Sequence, residues 1–309
     1  MLSSQATGNY LGGSAIIHNL RYEQSGYDSY GNLTTASNGA VNGEFGSLIS
    51  NESFSYDKLH RLKTASVTVG ASSTTVNYDY DNAGNFTKKS DYSANNASAY
   101  QYSNGSNKIS QITLKDNSIV SFGYDNKGNQ TSRNGVTEVS YNAFNKPLSI
   151  NKNSASFAFT YGADLARYKQ VRTANNETVT THYIDKHYQV EKRGSSITSK
   201  AFISDVAIIS DGNQSGDKSI RFTLRDRLGS ATTFADHNGN GTSYRYFDPF
   251  GKPRSGDRGL LSDMGLNPRL LNNPMDPDSV ANKNSRKGFT DHEHLDEAEL
   301  IHMNGRVYD

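Results

Sequence analysis

Strand-forming residues run along this chain in short stretches, and each stretch ends in a polar turn signal. TTVNYDY (residues 74–80) and VSFGYD (120–125) are rich in Tyr, Val, Phe and Thr at strand length. The turn signals share one spelling. YDSYGNLT starts at Tyr27, YDNAGNFT at Tyr80 and YDNKGNQT at Tyr124. An Asp at the first turn position accepts a hydrogen bond from the backbone two residues on. A Gly at the fourth takes the positive φ that closes a type I turn into a bulge. The spacing therefore predicts turns that begin at Asp28, Asp81 and Asp125 and finish at Gly31, Gly84 and Gly128, with Asn32, Asn85 and Asn129 leading into the next strand. The unit is a β-hairpin.

Weaker copies fill the intervals, at Tyr56, Tyr102, Tyr141, Tyr161 and Tyr183. The spacing between successive tyrosines is near 20 residues, which fits two strands and two turns per unit. Self-similarity at a fixed period marks an array whose units bury surface only against their neighbours. An ordinary β-sandwich is the competing architecture, but its inward faces need more Val, Leu and Ile. Here many strand positions on both faces are Ser, Thr, Asn or Lys. The expected fold class is all-β: repeated hairpins in a curved or spiralling single-layer sheet with both faces partly wet. Cross-strand Tyr and β-branched pairs would hold it, each worth about 0.2–1 kcal/mol. With at most about 13 units of this period, the first strand should present a free edge, which favours self-association or a completing partner.

Composition agrees with a thin wall. Hydrophobic residues make up 34 % of the 309, with 19 Tyr and no Trp, against about 45–50 % in ordinary soluble domains. The net charge of +1 and the absence of Cys argue against a dedicated nucleic-acid surface, disulfides and thiol chemistry. No apolar run is long enough for a transmembrane helix, and the first residues read as no signal peptide.

Several places invite a chemical reading. DHEHLDEAE (291–299) gathers His292, Glu293, His294, Asp296, Glu297 and Glu299. On a strand, His292 and His294 would share a face and offer two imidazoles to a metal. The metalloprotease spacing is absent, and structural hydrogen bonding is the favoured role. DHNGNG (236–241), with Gly239 and Gly241, reads as a turn because it lacks the ligand ladder of a calcium loop. Arg21, Arg61, Arg133, Arg167, Arg172, Arg221, Arg225, Arg227 and Arg245 lie in or near strands, on faces that need a register to assign. Residues 254–287, with Pro268, Pro274 and Pro277, break the rhythm and read as an irregular connector. The expected division is 1–253 repeat segment, 254–287 connector and 288–309 terminal signature.

The Tyr-Asp/Gly-Asn unit resembles the YD repeat of Rhs proteins, of Tc toxin C subunits and of teneurins. LRDRLGSATTFADHNGNGTSYRYFDPFGKPR (224–254) and GFTDHEHLDEAELIHMNGRVYD (288–309) are similar to the Rhs core region. The signature residues are Gly288, His292, Glu293, His294, Asn304, Gly305, Arg306, Tyr308 and Asp309. The resemblance implies a segment of a hollow β-shell, or cocoon, that encapsulates a carboxy-terminal toxin, in a bacterial polymorphic toxin of the type used in interbacterial competition. It implies production in the cytoplasm and secretion or delivery without a signal peptide, with type VI secretion as one route. The implied partners are a toxin cargo, an upstream shell segment or second chain, an immunity protein and a secretion adaptor. No cofactor and no membrane span are implied. The autoprotease aspartates and the toxin are expected beyond residue 309, so no enzymatic step is assigned to this stretch. A glycan- or protein-binding YD surface is the alternative, and part of an autoproteolytic core is another.

Overall fold

The structure, a computed structural model, describes residues 4–8, 16–22, 24–38, 50–134, 137–152, 154–213, 218–238, 241–254 and 285–308. The connector 255–284, Gly239 and Asp309 lie outside the described residues. Among those described, regular structure is strands and single 3-10 turns. The all-β hairpin expectation holds. Strands pair antiparallel with their neighbours in chain order. Two compact units result. The first takes its described residues from Met1–Gly123 and Tyr244–Asn267, and the second from Tyr124–Ser243 and Pro268–Asp309.

The turns show why the repeat keeps its spelling. Asp81 Oδ1 accepts the N–H of Ala83 and Asn85 at 2.9 and 2.8 Å, and its Oδ2 accepts the Asn85 side-chain amide at 2.9 Å. Asp28 and Asp125 do the same with Tyr30 and Asn32, and with Lys127 and Asn129. Gly31, Gly84 and Gly128 stand at φ 86, 90 and 86°. Weaker copies substitute parts: His60 takes the left-handed position at φ 60°, and the Arg61 guanidinium replaces the Asn amide on Asp57. The register slips by one residue at Tyr56, Tyr80, Tyr102, Tyr141 and Tyr161. A bulge there re-aims the tyrosine.

Each re-aimed tyrosine reaches back to the previous unit. Tyr56 donates its hydroxyl to the Leu33 carbonyl at 2.7 Å and Tyr80 to Leu62 at 2.9 Å. Tyr102 donates to Phe86 at 2.8 Å, Tyr141 to Gln130 at 2.8 Å and Tyr161 to Pro147 at 2.8 Å. In the repeat's own frame, the acceptor is always the residue after the Asn position of a unit. The half-buried tyrosine is thus an inter-unit rivet, which helps hold a wall built with few aliphatic residues. Tyr80→Phe is expected to lower stability by about 0.5–1.5 kcal/mol in chemical denaturation. Tyr30→Phe, at a position 78 % exposed, should change nothing measurable.

Burial is divided among small clusters. In the first unit, Ala65, Val67, Val76 and Tyr78 form one, Ala94, Ala99, Tyr100 and Ile112 a second, and Leu20, Tyr22 and Leu33 a third. A short hairpin, Tyr246–Phe247 with Pro253–Arg254, belongs to this unit. It sets Phe250 against Tyr78 and Phe86, with ring centroids at 5.2 and 5.3 Å. Arg254 pairs with Glu52. In the second unit, Ile150, Ala155, Phe157, Phe159 and Ala174 meet Leu295, Ala298 and Leu300. The expectation of an open space behind the sheet does not hold over these strands. The chain's own terminal strands lie there as a second layer.

Candidate functional site in the docked carboxy-terminal segment

Residues 285–308 fold into a compact piece of their own. Phe289–Asp291 form a 3-10 turn, and Glu293–Leu295 pairs with Leu300–His302, which pairs with Val307–Tyr308. Glu299 and Asn304 adopt left-handed φ of 54 and 55° at the two reversals. Gly288 closes the turn and ties it to the sheet: its N–H donates to the His292 carbonyl at 2.8 Å, and its carbonyl accepts the N–H of Ala231, on the strand Ala231–Ala235, at 3.0 Å. Gly305 and Arg306 lie at an exposed tip, and Tyr308 is half-buried.

The two histidines work inside this piece. His294 Nε2 accepts the Phe289 N–H at 3.0 Å, which puts its proton on Nδ1, facing Asp296 Oδ1 at 3.9 Å. His292 Nδ1 meets the Thr290 hydroxyl at 2.9 Å. Among the described residues, no group of three His, Asp or Glu side chains is arranged to hold a metal.

The acidic run is the docking surface. Glu293 pairs with Arg167, accepts the Tyr183 hydroxyl at 2.9 Å and the Gln170 amide at 3.3 Å. Arg167 stacks over the Tyr183 ring at 4.3 Å and donates to Gln170 Oε1 at 2.7 Å. Glu297 takes Arg172 at 2.8 Å and Arg286 at 2.9 Å, and Arg286 also reaches Asp296 at 3.2 Å. Glu299 pairs with Lys152. Asp291 takes Arg225 at 2.7 Å and Lys287 at 3.0 Å. Acids of the segment thus face cations of the sheet in four places. Arg167 and Arg172 belong to one strand, Arg167–Ala174.

The tyrosine ladder changes its target here. Tyr183 belongs to the repeat series, yet its hydroxyl goes to Glu293. A part that elsewhere joins unit to unit instead joins the sheet to the terminal segment. Burial raises the Tyr183 hydroxyl well above its ordinary value, and the Glu293 charge adds to this. Burial pushes the Glu293 carboxyl up, but the Arg167 guanidinium and the Tyr183 hydroxyl bring it below the usual range. A cleft of 1150 Å³ opens beside the clamp, lined by Tyr168, Gln170, Tyr183, Gln189, Phe202 and Arg286 among others.

The buried His302 should make the stability of this docked segment depend on pH. It is 1 % exposed, touches the Phe159 ring at 5.1 Å, and its Nδ1 accepts the Asn304 N–H at 3.2 Å. Burial, then the neighbouring Arg167 charge, hold it down to about 3. Below its ordinary 6.5 the unfolded chain takes up a proton that the folded chain refuses. Stability therefore falls as pH drops from about 6.5 toward 3. Glu293 acts in the same direction, since its contribution is lost as pH falls below its ordinary 4.5. Denaturation at pH 7 and pH 5 should show a loss in the natural chain, and His302→Phe should flatten that slope by about one proton.

The terminal signature was visible in the sequence, but its partners on the sheet were not. Arg167, Arg172, Tyr183 and Lys152 complete the site. The only signal for them was the repeat frame, in which Arg167 occupies the position after the Asn.

No family model matches the sequence, and no curated protein matches it. Solved structures do. A chain in the crystal structure of TcdB2–TccC3 superposes with a TM-score of 0.68 at 15 % identity, covering 100 % of this chain and 16 % of that one. The complex TcdB2–TccC3–Cdc42 gives 0.64 at 15 % identity over 95 % of this chain and 15 % of that one. A Tc holotoxin pore of Photorhabdus luminescens gives 0.65 at 14 % identity over 96 % of this chain and 15 % of that one. This chain spans about one sixth of the chains it resembles. At these identities the likeness is one of fold: antiparallel β-hairpin sheets like those of Tc toxin chains.

Proposed function

We infer that this chain is the closing segment of an Rhs-type shell, which encloses and presents a polypeptide toxin encoded outside it. The observation that carries this reading is the clamp of Glu293, Glu297, Glu299 and Asp291 on the sheet's Arg167, Arg172, Lys152 and Arg225. A wall of riveted hairpins needs a stop, and the acidic segment supplies one by covering Phe157 and Phe159 of the sheet. The fold shared with Tc toxin chains supports the container reading. The chain itself carries no catalytic step in this account. In this reading the autoprotease aspartates and the toxin lie in flanking sequence, and the whole is delivered from a bacterial cell, with type VI secretion as one route. An upstream shell segment, an adaptor and an immunity protein are the partners this reading requires.

The test uses the natural full-length protein that contains this stretch. Its downstream polypeptide should resist added protease while the shell is folded, and become digestible with the clamp replaced by Arg167→Ala and Arg172→Ala. A downstream polypeptide digested as fast inside the natural protein as when expressed alone would overturn the container reading.

A further inference from the structure

The first unit holds a second buried charge cluster, and no part of the clamp or the ladder uses it. It lies where the Asp248 turn meets the strand Phe86–Lys89. Lys89 Nζ stands 3.1 Å from Asp248 Oδ2 and 3.7 Å from Asp91 Oδ2. The side chains of Asp248, Asp91 and Lys89 are 0, 5 and 14 % exposed. Around them is an aromatic wall. Tyr78 lies directly across the strand pair from Lys89, Phe250 packs on Tyr78 and Phe86, and Lys89 Nζ sits 5.8 Å from the Phe250 ring centre.

Three features separate this cluster from an ordinary ion pair. First, Asp248 differs from the repeat aspartates. In Asp28, Asp81 and Asp125 the Oδ2 atom is occupied by the turn's own Asn. In Asp248 it is given to a lysine 159 residues away in sequence. Second, Asp248 Oδ1 accepts two backbone N–H groups, from Phe250 at 2.9 Å and Lys252 at 2.8 Å. These donors polarise the carboxyl as an oxyanion hole does. Third, both oxygens of Asp91 are buried, and among the described residues no other residue gives them a hydrogen bond. A buried carboxylate in that state is costly and calls for a role. Burial drives its affinity for a proton up, against the pull of Lys89.

We propose that Lys89, Asp248 and Asp91 form an intramolecular isopeptide bond between the Lys89 side-chain amine and the Asp248 carboxyl, with Asp91 as the proton carrier. The Lys89 ammonium gives one proton to Asp248 Oδ2, leaving an amine and a carboxylic acid. The amine lone pair attacks Asp248 Cγ, and the N–C bond forms. The charge that develops on Oδ1 is held by the N–H groups of Phe250 and Lys252. Asp91 takes the second proton from the nitrogen and returns it to the Oδ2 hydroxyl. The C–Oδ2 bond breaks, and Oδ2 leaves as water. One ammonium and one carboxylate become one amide and one water, with no other reactant. Holding the amine against the carboxyl in a dry pocket supplies the proximity that the step needs, and loss of two buried charges favours the product. The bond would fasten the hairpin Tyr246–Phe247/Pro253–Arg254 covalently to the strand Phe86–Lys89 of the same unit.

The experiment is intact-mass measurement of the purified, denatured chain after prolonged incubation at neutral pH, followed by tryptic peptide mapping. The expected result is a chain one water lighter than its sequence, with a branched peptide joining Lys89 to Asp248. Lys89→Arg and Asp91→Asn, checked for native strand content by circular dichroism, should restore the full mass. A natural chain at its full sequence mass overturns the proposal. So does a water loss located elsewhere, for example as a ring at the Asp211–Gly212 step, and so does a cross-link that survives unchanged in rate in folded Asp91→Asn.

Discussion

Glu293→Ala should cost about 3–5 kcal/mol of stability, because it leaves a buried guanidinium without its counter-charge. Arg167 is almost fully enclosed, and among the described residues its other contacts are Gln170 and the faces of Tyr183 and Phe159, none of them charged. Tyr183 and Gln170 would lose their acceptor at the same stroke. The damage is local at first: residues 285–308 should become the earliest tryptic target, well before the hairpins of the first unit. The paired exchange Arg167→Met with Glu293→Leu should recover most of the loss, since replacing both members of a buried pair by apolar groups is often neutral. A loss below about 1 kcal/mol in Glu293→Ala would mean that the pair is wet and that the segment is held by packing alone.

How far the sequence foretold this depends on the span of each interaction. The Asp-x-x-Gly turns were legible because all their bonds fall within four residues, as in Asp125 with Lys127 and Asn129. Strand formers between the turns were legible for the same reason. The tyrosine rivets were not. Tyr141 and Gln130 are 11 residues apart, but Tyr56 and Leu33 are 23 apart, so only the three-dimensional register brings out a common rule. The clamp was further out of reach. Arg167 and Glu293 are separated by 126 residues, and Arg172 and Glu297 by 125. Apart from the place of Arg167 after the Asn position of its repeat, nothing local distinguishes those arginines from Arg227 or Arg61. The same limit explains the two histidines. In one dimension their neighbourhood admitted a ligand set beside the favoured structural role, and in the fold the turn at Phe289–Asp291 engages both rings in the segment's own hydrogen bonds. The hollow shell was implied by the resemblance, and composition agreed only with a thin wall; composition averages over the chain and does not reveal that one stretch keeps a filled, two-layer core.

That filled stretch is where a core exchange should hurt most. Phe157→Ala is expected to lower stability by about 3–5 kcal/mol. Phe157 is 1 % exposed and lies between Ile150 on the next strand and the terminal segment's Leu295 and Leu300. Two layers meet there, so the missing ring leaves a void that neither can close alone. Phe222→Ala, on a sheet face 40 % exposed, should cost far less, because water already reaches the ring. Denaturant titrations of the two variants give the comparison directly, and equal losses would mean that the second layer is not packed. The double variant Phe157→Ala with Glu293→Ala adds a sharper condition. Each single change loosens the same docked segment, one through its apolar underside and the other through its charged rim. Once the segment is free, the second change has little left to remove. The combined loss should therefore fall short of the sum by about 0.5–3 kcal/mol, the range for residues that share a structural element. Full additivity would separate the core from the clamp, and the terminal strands would then be held at two independent places.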